Sequence, residues 1–243
     1  MIKKSVTRNF IMKMLNPFIG LIRICLYYGL PSRITRPTTI DVLENIALVS
    51  SARYIEANGK NAMIFKDRAD LWSFAISKTD DNGLFAEFGV SWGKSLKYLS
   101  SCLPKNQMIF GFDSFQGLKE DFLGTPFTKG TFTTNRKEPI FPSNVVLIKG
   151  WFNESLPNFL QDHSEYFSFM HLDADTYDST KIVLELTADR IKPGTIIIFD
   201  EYFGYPNWQN NEAKAWKEFV EFYKIDYAYI AFSSQSVALK VLK

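Results

Sequence analysis

From residue 84 onward, short apolar runs alternate with amphipathic stretches, and this rhythm constrains the fold more than any other feature. Runs at 84–88, 108–112, 145–148, 167–172 and 195–199 are four to six residues long and largely apolar. Strands buried on both faces of a parallel sheet have that character. Helical patterns occupy 93–103, 154–161, 179–191 and 211–223. The last two runs, 227–232 and 237–242, are separated by a few small polar residues beginning Ser233-Ser234-Gln235, which reads as a β-hairpin. The pattern predicts an α/β fold: a doubly wound sheet of seven strands, mostly parallel, with helices on both faces. The closing hairpin supplies one antiparallel strand.

Composition excludes several classes. With 46% hydrophobic and 22% charged residues, and 22 Phe, 11 Tyr and 5 Trp, the chain has material for a core and is neither disordered nor fibrous. Its 243 residues suit one domain with additions. Two cysteines, Cys25 and Cys102, cannot build a disulfide framework, so a reducing, cytoplasmic compartment is expected. Two histidines, His163 and His171, leave no multi-histidine zinc site and few places for the base of a Ser-His-Asp triad.

Charge divides the chain. Residues 1–40 carry seven basic side chains and no acidic one, leaving 21 basic against 26 acidic in the rest. The body is mildly acidic and has no nucleic-acid footprint. Residues 1–38 form a basic, apolar arm. Lys13, Pro17, Gly20 and Arg23 interrupt its apolar run, which fits neither a membrane span nor a signal peptide. Either it packs on the body or on a second subunit, or it lies on an anionic membrane surface. Residues 39–82 read as a helical cap on the catalytic sheet of 83–243. Ile40, Leu43, Ile46 and Ala47 share one face of a first helix, which Asn58-Gly59 ends. Asp67 is the expected N-cap of a second, with Leu71, Phe74 and Ala75 buried. The stretch 114–144 is a long interruption rich in Thr, Gly and Pro, expected to act as a substrate lid because it leaves the carboxyl end of a strand.

Five strands end in residues that carry chemistry. The first ends Glu87-Phe88-Gly89-Val90-Ser91-Trp92-Gly93-Lys94-Ser95, where glycines permit a tight turn and the next helix offers free N–H groups. It is not GxGxxG, so a nicotinamide or flavin fingerprint is absent. The second ends Asp113-Ser114; an acidic residue there either caps the turn or holds a ribose, and the glycine turn one strand earlier favours the ribose. The third ends Gly150-Trp151-Phe152, aromatics that either flank an adenine or fill the core. The fourth and fifth end Asp173-Ala174-Asp175 and Asp200-Glu201. Clustered carboxylates repel unless a cation joins them, so either they hold a hard ion such as Mg²⁺ or some of them turn to water as helix caps.

With these residues in place, the chain from about 40 onward resembles the class I S-adenosylmethionine-dependent methyltransferases, and most of all the macrocin O-methyltransferase family. The likeness rests on Glu87–Gly93, Phe112-Asp113-Ser114-Phe115-Gln116-Gly117-Leu118, Lys149–Pro157, His171–Thr180 and Lys192–Tyr202, in that order. It implies a Rossmann-like seven-stranded sheet, S-adenosylmethionine as cofactor, and methyl transfer to a hydroxyl of a sugar or natural-product acceptor. By the same resemblance Glu87 and Gly89 would line the amino-acid end of the cofactor, Asp113 would hold its ribose and Gly150 and Trp151 would sit by its adenine, with Val90, Gly93, Ser95 and Ser114 completing the cofactor-binding set. Asp173, Asp200 and Glu201 would be Mg²⁺ ligands; Asp173 and Asp200 would carry catalysis, with Asp173 also touching the cofactor. Ser91 and the Asp200-Glu201 pair depart from the family pattern, which has glycine at the one and often Asp-Asp or Asp-Asn at the other.

A general base is harder to read. His171 falls in a buried strand and reads as structural, and His163 in a polar connection reads as exposed. Tyr177, Tyr202, Lys94 and Asp175 remain candidates. The competing function is a non-catalytic nucleoside-binding module that docks through the arm to a membrane or assembly partner. Three convergent carboxylates argue against it, since a binder has no use for them.

Overall fold

The computed structural model describes residues 37–243 apart from 81, 105, 136 and 137. The arm, with its membrane and self-association readings, therefore lies outside the described residues. The chain divides into Met1–Ile46 and Ala47–Lys243, a division that falls inside helix α1, Thr39–Asn58. At the start of α1, Thr38 N and Oγ1 both donate to Asp41 Oδ2, at 2.6 and 2.7 Å. Asp41 N returns a bond to Thr38 Oγ1, so the helix start is capped reciprocally. The expected buried face of α1 is realised only at Ala47; Ile40, Leu43 and Ile46 are exposed.

In the larger unit the elements after α1 run β1 Met63–Ile64, α2 Arg68–Ile76, β2 Leu84–Phe88, α3 Lys94–Cys102, β3 Ile109–Asp113, β4 Val145–Lys149, α4 Phe152–Asp162 and β5 Phe167–Leu172. They continue with α5 Tyr177–Thr187, β6 Ile196–Phe199, α6 Glu212–Tyr223, β7 Tyr227–Phe232 and β8 Val237–Val241. Eight strands form one sheet in the order β1-β7-β8-β6-β5-β2-β3-β4. Only β8 runs against its neighbours β6 and β7, as the hairpin predicts. The eighth strand is the two-residue β1, which pairs parallel to β7 inside the segment expected to be a purely helical cap. Two exposed residues carry no strand signature, so only pairing reveals it.

Alternation along each strand builds two cores. Ala86, Phe88, Phe112, Met170 and Ile197 pack on one face against Leu156 and Phe159 of α4, Val183 and Leu184 of α5, and Trp216 of α6. Phe85, Ile109, Phe169 and Ile198 pack on the other against Leu71, Trp72 and Ala75 of α2 and Leu96 and Leu99 of α3. Asp67 caps α2 as expected, accepting from Ala69 N at 2.8 Å. The chain winds β2-β3-β4 to one side of β2 and β5-β6 to the other, so the topological switch point lies between β2 and β5.

The described residues of 114–144 have no helix or strand but are tied down by their own packing, as compact Ω-type loops are. Phe115, Leu118 and Phe122 are buried, and Leu118 is bonded through its N–H and carbonyl to Thr131 and Gly130. Asn207 and Asn211 each donate to Leu123 O, fastening the loop to the segment after β6.

Candidate active site

The tips of five adjacent strands, β4, β3, β2, β5 and β6, line one cleft at the carboxyl edge of the sheet. At one end stand Gly150, Trp151 and Phe152, then Asp113 and Ser114, then the turn Gly89-Val90-Ser91. At the other end stand Asp173, Asp175, Asp200 and Glu201. Gly117, Leu118, Lys119 and Phe132 of the long loop cover part of it, which places that loop where a lid would be.

The turn after β2 is shaped by close approach. Gly89 has φ +98°, and a Cβ on it would sit 1.8 Å from Asp173 O, so no side chain fits between the tips of β2 and β5. Ser91, standing where the related pattern has glycine, holds φ +47°, in the left-handed region. Asp113 stabilises this conformation. Its Oδ2 accepts from Val90 N and Ser91 N at 2.8 and 2.6 Å, and its Oδ1 accepts from Phe115 N at 2.6 Å. A carboxylate has about four lone-pair sites, so about one remains free for a ligand. Asp113 is thus a turn-tying residue as well as a cleft-lining one.

Three residues expected to line the cofactor are not among those that line the cleft. Glu87 is fully buried, accepting from Ser95 Oγ at 2.8 Å, and neither it nor Ser95 reaches the cleft. Gly93 faces the ring of Phe141. The reason is strand alternation: with Phe88 on one face, Glu87 points to the other, under the turn, together with His171, its directly opposed partner on β5.

His171 reads as structural from its position, and the structure gives it buried partners. Its Nδ1 is 3.2 Å from Glu87 Oε2 and its Nε2 3.5 Å from Asp200 Oδ1. Burial opposes the imidazolium, yet the Asp200 and Glu87 carboxylates outweigh it and push its pKa to about 10. Asp200 also resists burial; contact with His171 and the charge of Arg68 hold its carboxyl below the usual range. Arg68 Nη1 lies 2.5 Å from Asp200 Oδ2. His163, expected to be exposed, is half-buried and stacked on Phe159 with ring centroids 3.9 Å apart.

The remaining carboxylates lack such compensation. Burial, then the charges of neighbouring aspartates, pushes Asp173 well above the carboxylate range and Asp175 up to about 7. Glu201 is pushed up by burial and by Asp173. Glu212 on α6, which the sequence reading missed, joins them fully buried and is raised by burial and by Asp175. It accepts from Glu201 N at 3.0 Å, while Glu201 Oε2 and Glu212 Oε1 are buried without a partner. Asp173, Asp175 and Glu201 converge, with one ligand oxygen from each within 4.8 Å of the others. His171, Asp173 and Asp200 converge as closely, but His171 is already engaged by Glu87 and Asp200, and Asp200 by Arg68. Among the described residues the expected trio Asp173, Asp200 and Glu201 does not form a set; Asp175 takes the place of Asp200, which Arg68 and His171 occupy. Orphaned carboxylate oxygens around an all-oxygen donor set suit a hard divalent cation.

Of the candidate bases only Asp175 lines the cleft. Tyr177 donates to Glu218 at 2.5 Å, Tyr202 is buried among Tyr54 and Tyr229, and Lys94 is exposed outside it. Arg68, from the cap, also lines the cleft; no sequence signal marked it.

Residues 86–202 match the family model described as a methyltransferase domain. Solved structures share the fold: the calicheamicin methyltransferase CalS11 has a TM-score of 0.57 at 21% identity, over 71% of this chain and 77% of that one. Apo CalS11, described as a TDP-rhamnose 3'-O-methyltransferase, gives 0.52 at 24% identity over the same shares. The O-methyltransferase NovP gives 0.56 at 16% identity, over 72% of this chain and 80% of that one. No curated protein matches in sequence. The domain match spans the strand tips that line the cleft, so the segment that builds the candidate site is the segment similar to a methyltransferase domain.

Proposed function

We propose that the protein transfers a methyl group from S-adenosylmethionine to a hydroxyl oxygen of a sugar or natural-product acceptor. The observation that carries this reading is the division of the cleft: an aromatic and hydrogen-bonding end suited to a nucleoside, and an end of uncompensated carboxylates suited to an acceptor hydroxyl. The TDP-rhamnose 3'-O-methyl transfer named for CalS11 and the O-methyl transfer named for NovP support it. Adenine lies against Gly150 and Trp151, ribose by Asp113 and Ser114, and the methionine end passes Gly89 and Val90 towards Asp173.

A methyl sulfonium is already reactive, so the chain's main task is to align donor and acceptor in line while excluding water. Loop residues Leu118 and Phe132 cover the cleft for that purpose. Asp173, Asp175 and Glu201 would hold Mg²⁺ or a similar ion. When bound, such an ion lowers the pKa of the acceptor hydroxyl and orients it. The hydroxyl proton leaves to a carboxylate at this end of the cleft, foremost Asp175 Oδ, which burial and the neighbouring aspartates push up to about 7 in the ion-free cleft. Asp200 acts from beneath, holding His171 and Arg68 in place, and its contribution to catalysis is positional.

Transfer of a labelled methyl group to a panel of sugar and phenolic acceptors is the test. Activity abolished by EDTA and restored by Mg²⁺ or Mn²⁺ is expected, with Asp175→Asn losing turnover far more than affinity for S-adenosylhomocysteine. Full activity after EDTA and exhaustive dialysis would remove the metal. Tight S-adenosylhomocysteine binding without transfer to any acceptor would favour a binding module.

A further inference from the structure

Arg68 enters the cleft from α2, an element that no strand-tip motif includes. Packing fixes its position. Leu71, Trp72, Ala75 and Ile76 bury α2 on the sheet, and the Arg68 guanidinium carbon lies 5.5 Å from the ring centroid of Trp72, one turn along. Nη1 is fixed to Asp200 Oδ2, and Asp200, 2% exposed, is itself held by Ser236 Oγ at 3.0 Å. Asp200 thus orients the guanidinium and uses one of its five N–H donors. The side chain is still 44% exposed, and among the described residues no other hydrogen bond engages it.

The strand order says what would meet those donors. Neighbouring tips are about 4.8 Å apart. A nucleoside over β4 and β3 sends the rest of the cofactor across β2 to β5 and β6, where Arg68 stands. Two cations line the cleft among the described residues. Lys119 is at the far end, with Nζ 5.9 Å from the Trp151 ring, so among the described residues Arg68 is the cation at the Gly89–Asp200 end. The methionine end of the cofactor carries an ammonium and a carboxylate. Asp173 offers the ammonium a partner; the carboxylate needs a cation, and everything else charged there is acidic. A guanidinium's planar fork matches a carboxylate through two parallel bonds.

We infer that Arg68 binds the carboxylate of the cofactor's methionine moiety. The inference rests on the cofactor position given above. Binding is measured by calorimetry with S-adenosylhomocysteine and with its decarboxylated analogue, which keeps the nucleoside and the ammonium. For the wild type, loss of the carboxylate weakens binding by about 10- to 100-fold, the range for a charge-assisted pair. Arg68→Gln weakens S-adenosylhomocysteine binding by a similar factor and leaves the decarboxylated analogue within about twofold. Arg68→Lys, which keeps the charge without the fork, falls between them. Should Arg68→Gln fold poorly, the wild-type ratio and the Arg68→Lys ratio carry the same comparison. Equal losses for both ligands would mean that Arg68 only supports Asp200, and would overturn the assignment alone. A wild-type protein that binds neither ligand would overturn the cofactor position with it.

Discussion

At Asp113 one carboxylate performs two tasks, and its replacement separates them. Three backbone N–H groups point at it, two from the turn that holds Ser91 in a left-handed conformation. Asp113→Ala leaves those donors without an acceptor and is expected to cost about 1–3 kcal/mol in denaturant melts. It is also expected to lower S-adenosylhomocysteine affinity by about 10- to 100-fold, as a lost charge-assisted bond to ribose would. Unchanged affinity would show the residue to be a turn clamp only. His171 makes a different kind of prediction. Its pKa is about 10 in the fold and about 6.5 when unfolded, so the fold favours the imidazolium. That contribution is complete below about pH 6.5 and disappears as pH rises through 10. Melting temperature should therefore fall across this window in metal-free protein, and fall less steeply in His171→Asn. Parallel slopes would place the pH sensitivity elsewhere.

At the scale of elements, the segment 114–144 behaves as a built part of the cleft wall. Its anchor is Phe122, 2% exposed, edge-on to Tyr205 with ring centroids 5.3 Å apart. The same loop presents Gly117 and Phe132 to the cleft. Phe122→Ala should destabilise the protein by about 3–5 kcal/mol. It should also raise the Kd for S-adenosylhomocysteine, because the covering residues lose their support. Exchange measurements should show the loss of protection concentrated in 114–134. If protection and affinity both stay at wild-type values, the loop is an inert insertion. Helix α2 is the complementary wall: its apolar face secures it to the sheet, and its first residue, Arg68, delivers charge to the cleft.

For the whole molecule, the uneven charge is the feature with a testable consequence. The seven basic side chains of the first 40 residues sit on a chain whose remainder is net −5. No helix among the described residues is long and apolar enough to cross a membrane. Deleting residues 1–36 is expected to leave S-adenosylhomocysteine binding intact, because every described cleft-lining residue lies beyond Arg68 or at it. It is also expected to change oligomeric state or association with anionic liposomes. Light scattering and vesicle sedimentation check this; the same size and no lipid binding before and after truncation would reject a role for the arm in either.

The parts of the fold legible in sequence are those with a short-range cause. Apolar runs of strand length, the polar Ser233-Ser234-Gln235 link and the capping Asp67 each act within a few residues, and the sheet, the hairpin and α2 follow from them. The strand tips were legible for the same reason, since a parallel sheet brings its carboxyl ends to one edge. What tertiary structure alone decided depends on contacts across long sequence separations. The two-residue β1 exists only because Ala231 and Phe232 of β7 pair with it. Glu87 and Ser95 left the cleft because strand register sets Glu87 opposite His171, 84 positions away. Arg68 meets Asp200 across 132 positions, and that ion pair, with His171, decides which carboxylates are compensated and which are left to a cation and a substrate. Side-chain charge is written in the sequence; which charges neutralise one another is set by packing, because Coulomb energy depends on distance and burial.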